Sequence, residues 1–264
     1  MFLYGFMRQA FQASFLISLI APVLGLFLIL RRQTLLADTL SHVSLVGVAG
    51  GLLLGVSPTW TNLLVVVVAS VLLEYIGTVY KSYSEISIAM MMSGGMALAL
   101  VLMSFNDNAS MSLNTFLFGS IVTITEQQVL FLLILTIAIL LLYLFFKRPM
   151  YVLTFDEETA YTAGLPVRAM SIAFNIVTGM TIAMIMPIVG ALLVSAILIL
   201  PAAISMRLSK SFNGVILIGI ILALIGMFSG LTTSYYVGTP PGATITLIFL
   251  AIFFVTILIE KIRN

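Results

Sequence analysis

Apolar runs of about 20 residues, the length that crosses roughly 30 Å of hydrocarbon, follow one another along almost the whole chain, separated by short polar punctuation. They predict nine transmembrane helices, over residues 11–30, 35–55, 60–80, 86–105, 127–146, 168–187, 189–206, 212–232 and 243–260. No stretch between them is long enough for a soluble domain, so residues 1–264 read as one all-α, polytopic membrane domain. A tenth apolar segment, 114–125 (NTFLFGSIVTIT), is too short to cross and is expected to lie as a re-entrant or surface helix. Near the start, Arg8 precedes a full-length apolar stretch with no small-residue cleavage site, which reads as a first transmembrane helix and not a removed signal.

Composition sharpens this reading. Of 264 residues, 62% are hydrophobic and 8% charged, with a mean hydropathy of +1.25, whereas a soluble domain carries about 25% charged residues. Lipid must be the solvent. The absence of cysteine excludes disulfides, thiolate metal clusters and cysteine nucleophiles. The eleven basic residues are scattered, with no patch for nucleic acid. Ten of them (Arg31, Arg32, Lys81, Lys147, Arg148, Arg168, Arg207, Lys210, Lys261 and Arg263) fall at alternate ends of the nine spans. By the positive-inside rule that face is cytoplasmic, and the N-terminus is external. The opposite loops carry Asp107 and Glu126, with Arg8 as the one basic exception. A crossing 114–125 segment would carry Lys147 and Arg148 to the outside and break the rule. The Asn108-Ala-Ser sequon is short enough to occur by chance and is given no role.

Missing motifs narrow the function further. There is no G-x-x-x-x-G-K-[ST] phosphate cradle, no G-x-G-x-x-G after a strand, no HExxH pair and no GxSxG elbow. The chain is therefore not expected to hydrolyse ATP or act as an enzyme.

Ionisable side chains at membrane depth are costly and by default mark a pathway. Asp38 and His42, four residues apart, share a helix face. Asp38 lies seven residues past Arg31 and Glu74 seven before Lys81, which puts both about 10 Å inside the same boundary at 1.5 Å per residue. His42 lies one turn deeper. On adjacent antiparallel helices the three make a candidate cation site, whose carboxylates and imidazole suit zinc or manganese better than magnesium or calcium. The competing reading pairs Asp38 with Arg31 or Arg32 and leaves His42 and Glu74 in an interhelical hydrogen bond.

The longest cytoplasmic loop holds Thr154-Phe-Asp-Glu157, a capping box. With Gly164 and Pro166 to close it, the motif predicts a rigid helix over 155–163 outside the membrane, suited to receive a partner. Gly47, Gly51 and Gly55, and Gly226 and Gly230, recur at four-residue spacing as close-packing ridges, and Pro201 is expected to kink its span.

As a set, GLFLILRRQTLLADTLSHVSLVGVAGG, FLFGSIVTIT, LTFDEETAYTAGLPVR, GALLVSAILILPAAISMR and SYYVGTPPGATIT resemble the permeases of bacterial ABC importers for zinc and manganese, in order from about residue 20 to 250. LTFDEETA and GLPVR are most similar to Gram-positive zinc-uptake permeases. The resemblance implies a cobalamin-importer-like fold in the bacterial plasma membrane and a homodimer of permeases with the pore between or within them. It also implies two cytoplasmic ATP-binding subunits and an external metal-binding lipoprotein, with zinc (or manganese, or iron) as transported ion and no permanent cofactor. Carried over, the metal site falls on Asp38, His42 and Glu74. The 155–163 helix becomes the ATPase-docking coupling helix, with Phe155, Asp156, Glu157, Glu158 and Gly164 as its docking residues. Relatives with further polar or histidine residues near the external end of the eighth span are matched here by Ser234, Tyr235 and Tyr236. The rival class is a proton-coupled secondary metal transporter, which needs no ATPase; a third is a membrane assembly or sensor protein without flux.

Overall fold

The computed structural model describes residues 4–79, 84–105, 115–120, 122 and 124–263. Lys81, Asp107 and the Asn108 sequon lie outside them. The described residues form ten helices: α1 Gly5–Leu30, α2 Thr34–Leu54, α3 Pro58–Val79, α4 Ser84–Ser104, α5 Glu126–Phe155, α6 Glu157–Thr162, α7 Val167–Val189, α8 Val194–Leu208, α9 Phe212–Val237 and α10 Pro241–Arg263. Eight are long and apolar enough to span a membrane, and α8 is a shorter apolar helix. These nine match the nine predicted spans in order.

Turn chemistry sets the short connections. Gly55 ends α2 in the left-handed region at φ +67°, where a side chain is strained. Pro58 then opens α3, where the first-turn N–H has no intrahelical partner to lose. Gly238 (φ +75°) and Pro241 repeat the device between α9 and α10.

α1 is buried nearly all round from Leu16 to Leu28, and packs on α5, α8 and α9. Its partners approach to backbone contact: a Cβ added at Gly25 would lie 2.0 Å from the Leu198 carbonyl oxygen of α8. A second group is built on α2, which packs against α3, α4 and α7. Gly47 lies on the backbone of Asn62, Gly51 on Pro58 and Thr61, and Gly95 of α4 on Val43. Gly226 and Gly230 of α9 receive Phe249 and Ile245 of α10. Four of the predicted ridge glycines thus pack helices; the fifth, Gly55, serves as a cap with nothing against it.

The seventh predicted span begins later than expected. Residues 190–193 break the helix between α7 and α8, with Gly190 at φ +97°. The 114–125 segment explains the break. Its one helical turn at 115–118 is followed by Gly119 at φ +76°, and the two irregular stretches exchange backbone hydrogen bonds. Ala191 and Leu192 donate to the carbonyls of Phe116 and Leu117 at 2.8 and 3.3 Å, and Ser120 donates to Pro187 at 3.1 Å. The described part does not cross the bundle; it seats on the α7–α8 break and satisfies the groups that the break frees, as non-helical backbone at membrane depth requires.

The 155–163 helix is also shifted from its prediction. α5 runs on to Phe155, so Thr154 is an interior residue whose hydroxyl donates to the Met150 carbonyl at 2.6 Å. Asp156 takes the cap: its carboxylate accepts from the Thr159 amide at 2.9 Å and the Thr159 hydroxyl at 2.5 Å. α6 is accordingly six residues long. Gly164, at φ +76°, closes it as predicted: its amide donates to the Tyr161 carbonyl and that of Leu165 to Ala160, the paired bonds of a Schellman motif.

Candidate functional site

Asp38 and His42 occupy successive turns of α2, both half-buried, and Asp38 is near enough to act electrostatically on the imidazole. Their neighbours follow from helix geometry. Leu40 faces α7, since a Cβ at Gly179 would meet its Cδ1. At 100° per residue, positions 38 and 42 lie on the far flank of α2. α4 approaches α2 at Val43, through Gly95, to one side of that flank. His42 Nδ1 is buried without a hydrogen-bond partner, leaving a lone pair or proton uncommitted at the only histidine of the chain.

Glu74 is placed elsewhere. The contacts of Gly47 with Asn62 and Gly51 with Pro58 set the α2–α3 register. Extended along the two helices, it sets Glu74 level with the first turn of α2, about one turn below Asp38 and about 10 Å below His42 along the axis. The carboxylate is turned toward α7, where Asn175 Nδ2 donates to its Oε2 at 2.8 Å. Among the described residues no three His, Cys, Asp or Glu side chains gather closely enough to hold a metal ion. By that register Asp38 and Glu74 stand about one turn apart in depth. In this conformation Asp38 and His42 form a pair, and Glu74 belongs to a separate polar seam between α3 and α7.

That seam is what the sequence reading missed. Along one face of α7 run Ser171, Asn175 and Thr178, all buried. Arg31 Nη2 donates to Ser171 Oγ at 2.6 Å, with its guanidinium 5.2 Å from the Phe174 ring centroid. The signal for the seam was present: Asn175 stands alone in the apolar run SIAFNIVTG, and lone amides at membrane depth need a partner on another helix.

Toward the opposite end, Asn62 is fully buried between three helices. It accepts from Ser44 at 2.5 Å and donates to the Ala183 carbonyl at 3.3 Å. Above it lies a cavity of about 330 Å³ lined by Thr59, Asn62, Thr115, Gln128, Met184 and Pro187. The 115–118 turn forms one wall.

At the end bearing Arg31, α6 stands clear of the bundle. Phe155 and Tyr161 are 59% and 76% exposed, and Glu158 is exposed beside them. Two large aromatics are thus left open beside a rigidly capped turn. Asp156 is held below the usual carboxylate range by the hydroxyl and amide of Thr159.

Comparison with known proteins gives these features a context. The chain matches the ABC 3 transport family over residues 3–260. It is 29% identical over 260 residues to a probable metal transport system membrane protein of Treponema pallidum, covering 98% of this chain and 97% of that one. To the high-affinity zinc uptake system membrane protein ZnuB of Haemophilus influenzae it is 26% identical over 245 residues, with 93% and 94% covered. Other relatives are named manganese and iron transport system membrane proteins. Among solved structures, PsaBC from Streptococcus pneumoniae in complex with Fab superposes with a TM-score of 0.86 at 25% identity, over 99% of this chain and 96% of that one. The relatives are membrane permeases and not enzymes, in keeping with the missing nucleotide motif. Matched over residues 3–260, the chain belongs to the ABC 3 transport family, as a membrane permease.

Proposed function

We propose that the chain is the permease subunit of an ATP-driven importer that moves a divalent metal ion, zinc foremost and manganese as the nearest alternative, into the cytoplasm. The observation that carries this reading is the Asp38–His42 pair: the one imidazole of the chain, with an uncommitted ring nitrogen, next to a carboxylate at membrane depth. It stands in a family whose relatives are named for zinc, manganese and iron transport. Imidazole with carboxylate suits first-row divalent ions, and the lack of thiolate keeps such a site labile. Asp38 and His42 act as the ion-handling pair, with Glu74 as a further carboxylate on the path.

The same reading places the basic end in the cytoplasm, where the aromatic and acidic surface of Phe155, Asp156, Glu157, Glu158 and Gly164 docks an ATP-binding subunit. Two permeases and two such subunits form the importer, and an external metal-binding lipoprotein delivers the ion. ATP binding moves α6, and through Pro166 the α7 helix, shifting the bundle between two packings. Radiolabelled zinc uptake, with and without excess manganese, tests this in cells lacking other zinc importers. Uptake that manganese barely suppresses, and that Asp38→Ala abolishes with the ATPase still co-purifying, is the expected result. Undiminished uptake by a well-expressed Asp38→Ala protein removes the pair from the ion path. Uptake by the purified chain alone, driven by a pH gradient, would establish the secondary-transporter reading instead.

A further inference from the structure

We propose that Glu74 and Asn175 form a second cation station, distinct from Asp38 and His42, that takes a hard divalent cation through oxygen donors alone. The proposal rests on the permease reading and deepens it. Asn175 is 1% exposed, and its Nδ2 donates to Glu74 Oε2 at 2.8 Å. An ionised carboxylate only accepts, so this bond fixes the amide orientation by chemistry. The planar amide then holds Oδ1 within a few ångströms of the carboxylate. That oxygen is buried and has no hydrogen-bond partner. Three residues on, along the same face of α7, the Thr178 hydroxyl is fully buried and also without a partner.

Buried polar atoms are nearly always satisfied, and each exception calls for an ion, a water or a functional role. Two such oxygens on one helix face, beside a half-buried carboxylate, are what a cation passing along the α3–α7 seam requires. Nitrogen and sulfur donors are absent from this set, in contrast to the His42 pair. Oxygen-only shells favour manganese or magnesium over zinc. Below the station, Arg31 on Ser171 sets a fixed positive charge one turn toward the basic end, a barrier that holds the ion until the helices move.

Manganese binding to the purified permease, followed by electron paramagnetic resonance, tests the assignment. An Asp38→Ala/His42→Ala protein is expected to retain one Mn²⁺ site that equimolar Zn²⁺ displaces poorly. Adding Asn175→Leu is expected to weaken that site at least ten-fold, and Thr178→Val about three-fold with the melting temperature unchanged. Loss of all Mn²⁺ binding in the Asp38→Ala/His42→Ala protein overturns the proposal, as does undiminished binding after Asn175→Leu. Should the leucine variant fail to assemble, Glu74→Gln, which keeps the volume, decides the same point by the same criterion. Wild-type uptake in proteoliposomes with the ATPase is scored separately: its absence sinks the importer reading and leaves the binding result to stand on its own.

Discussion

A methyl group is enough to distinguish the positions that hold this bundle together from those proposed to handle an ion. At Gly25 a Cβ would meet backbone, the Leu198 carbonyl, which cannot rotate away. Gly25→Ala is therefore expected to destabilise the permease by about 1–3 kcal/mol, the usual range for overpacking, read as a lowered melting temperature in detergent. His42→Ala should behave in the opposite way. The side chain is half-buried and its Nδ1 makes no hydrogen bond, so its removal breaks no such bond there. Melting should change little while metal uptake is lost; a large drop in melting temperature with normal uptake would make the histidine a packing residue. Asn62 shows a third behaviour. It joins Ser44 to the Ala183 carbonyl, and Asn62→Leu leaves both partners unsatisfied, at a cost of about 1–3 kcal/mol for each buried group.

Between residues and the whole chain, α6 is the element on which the proposed assembly with an ATPase depends. Its start depends on Asp156, so Asp156→Ala should loosen the first turn and reduce ATPase co-purification, and Phe155→Ala with Tyr161→Ala should reduce it further. The carboxylate is held below its ordinary range by Thr159. Its capping contribution is thus complete above that range and is lost only as pH falls through the depressed value. ATPase association is expected to stay level from pH 7 down to about 4, near the unperturbed carboxylate value; a decline centred near pH 6 would point to another group. The prediction of this element from sequence was right in kind and wrong in register. TFDEET offers two overlapping caps, Thr154 and Asp156, and the choice depends on where α5 stops, which no local pattern reveals. The depth of Glu74 relative to Asp38 was not legible for a similar reason. Counting from flanking basic residues assumes helices that end level, whereas the α2–α3 register is set by Gly47 and Gly51 seating on Asn62 and Pro58.

For the molecule as a whole, the spans were legible because crossing hydrocarbon demands a length that few other structures need, and nine apolar windows became nine apolar helices. Of the polar seam of Ser171, Asn175 and Thr178, the lone Asn175 amide signalled the need for a partner, but single polar residues in apolar runs do not reveal which helix supplies it. Topology is directly testable in a chain without native cysteine. Single cysteines at Tyr161 and Tyr236, both over 70% exposed and at opposite ends of the bundle, should be labelled by an impermeant maleimide from opposite sides, Tyr236 from outside in intact cells. Labelling of both from one side would refute the proposed orientation. The backbone exchange between 115–120 and 187–192 has an evolutionary consequence. Gly119 and Gly190 each sit where a Cβ would strike the backbone of the other's segment, so neither stretch can drift, lengthen or be replaced without the other. Chimeras that swap one segment with a relative should fail to express, and those that exchange both should recover.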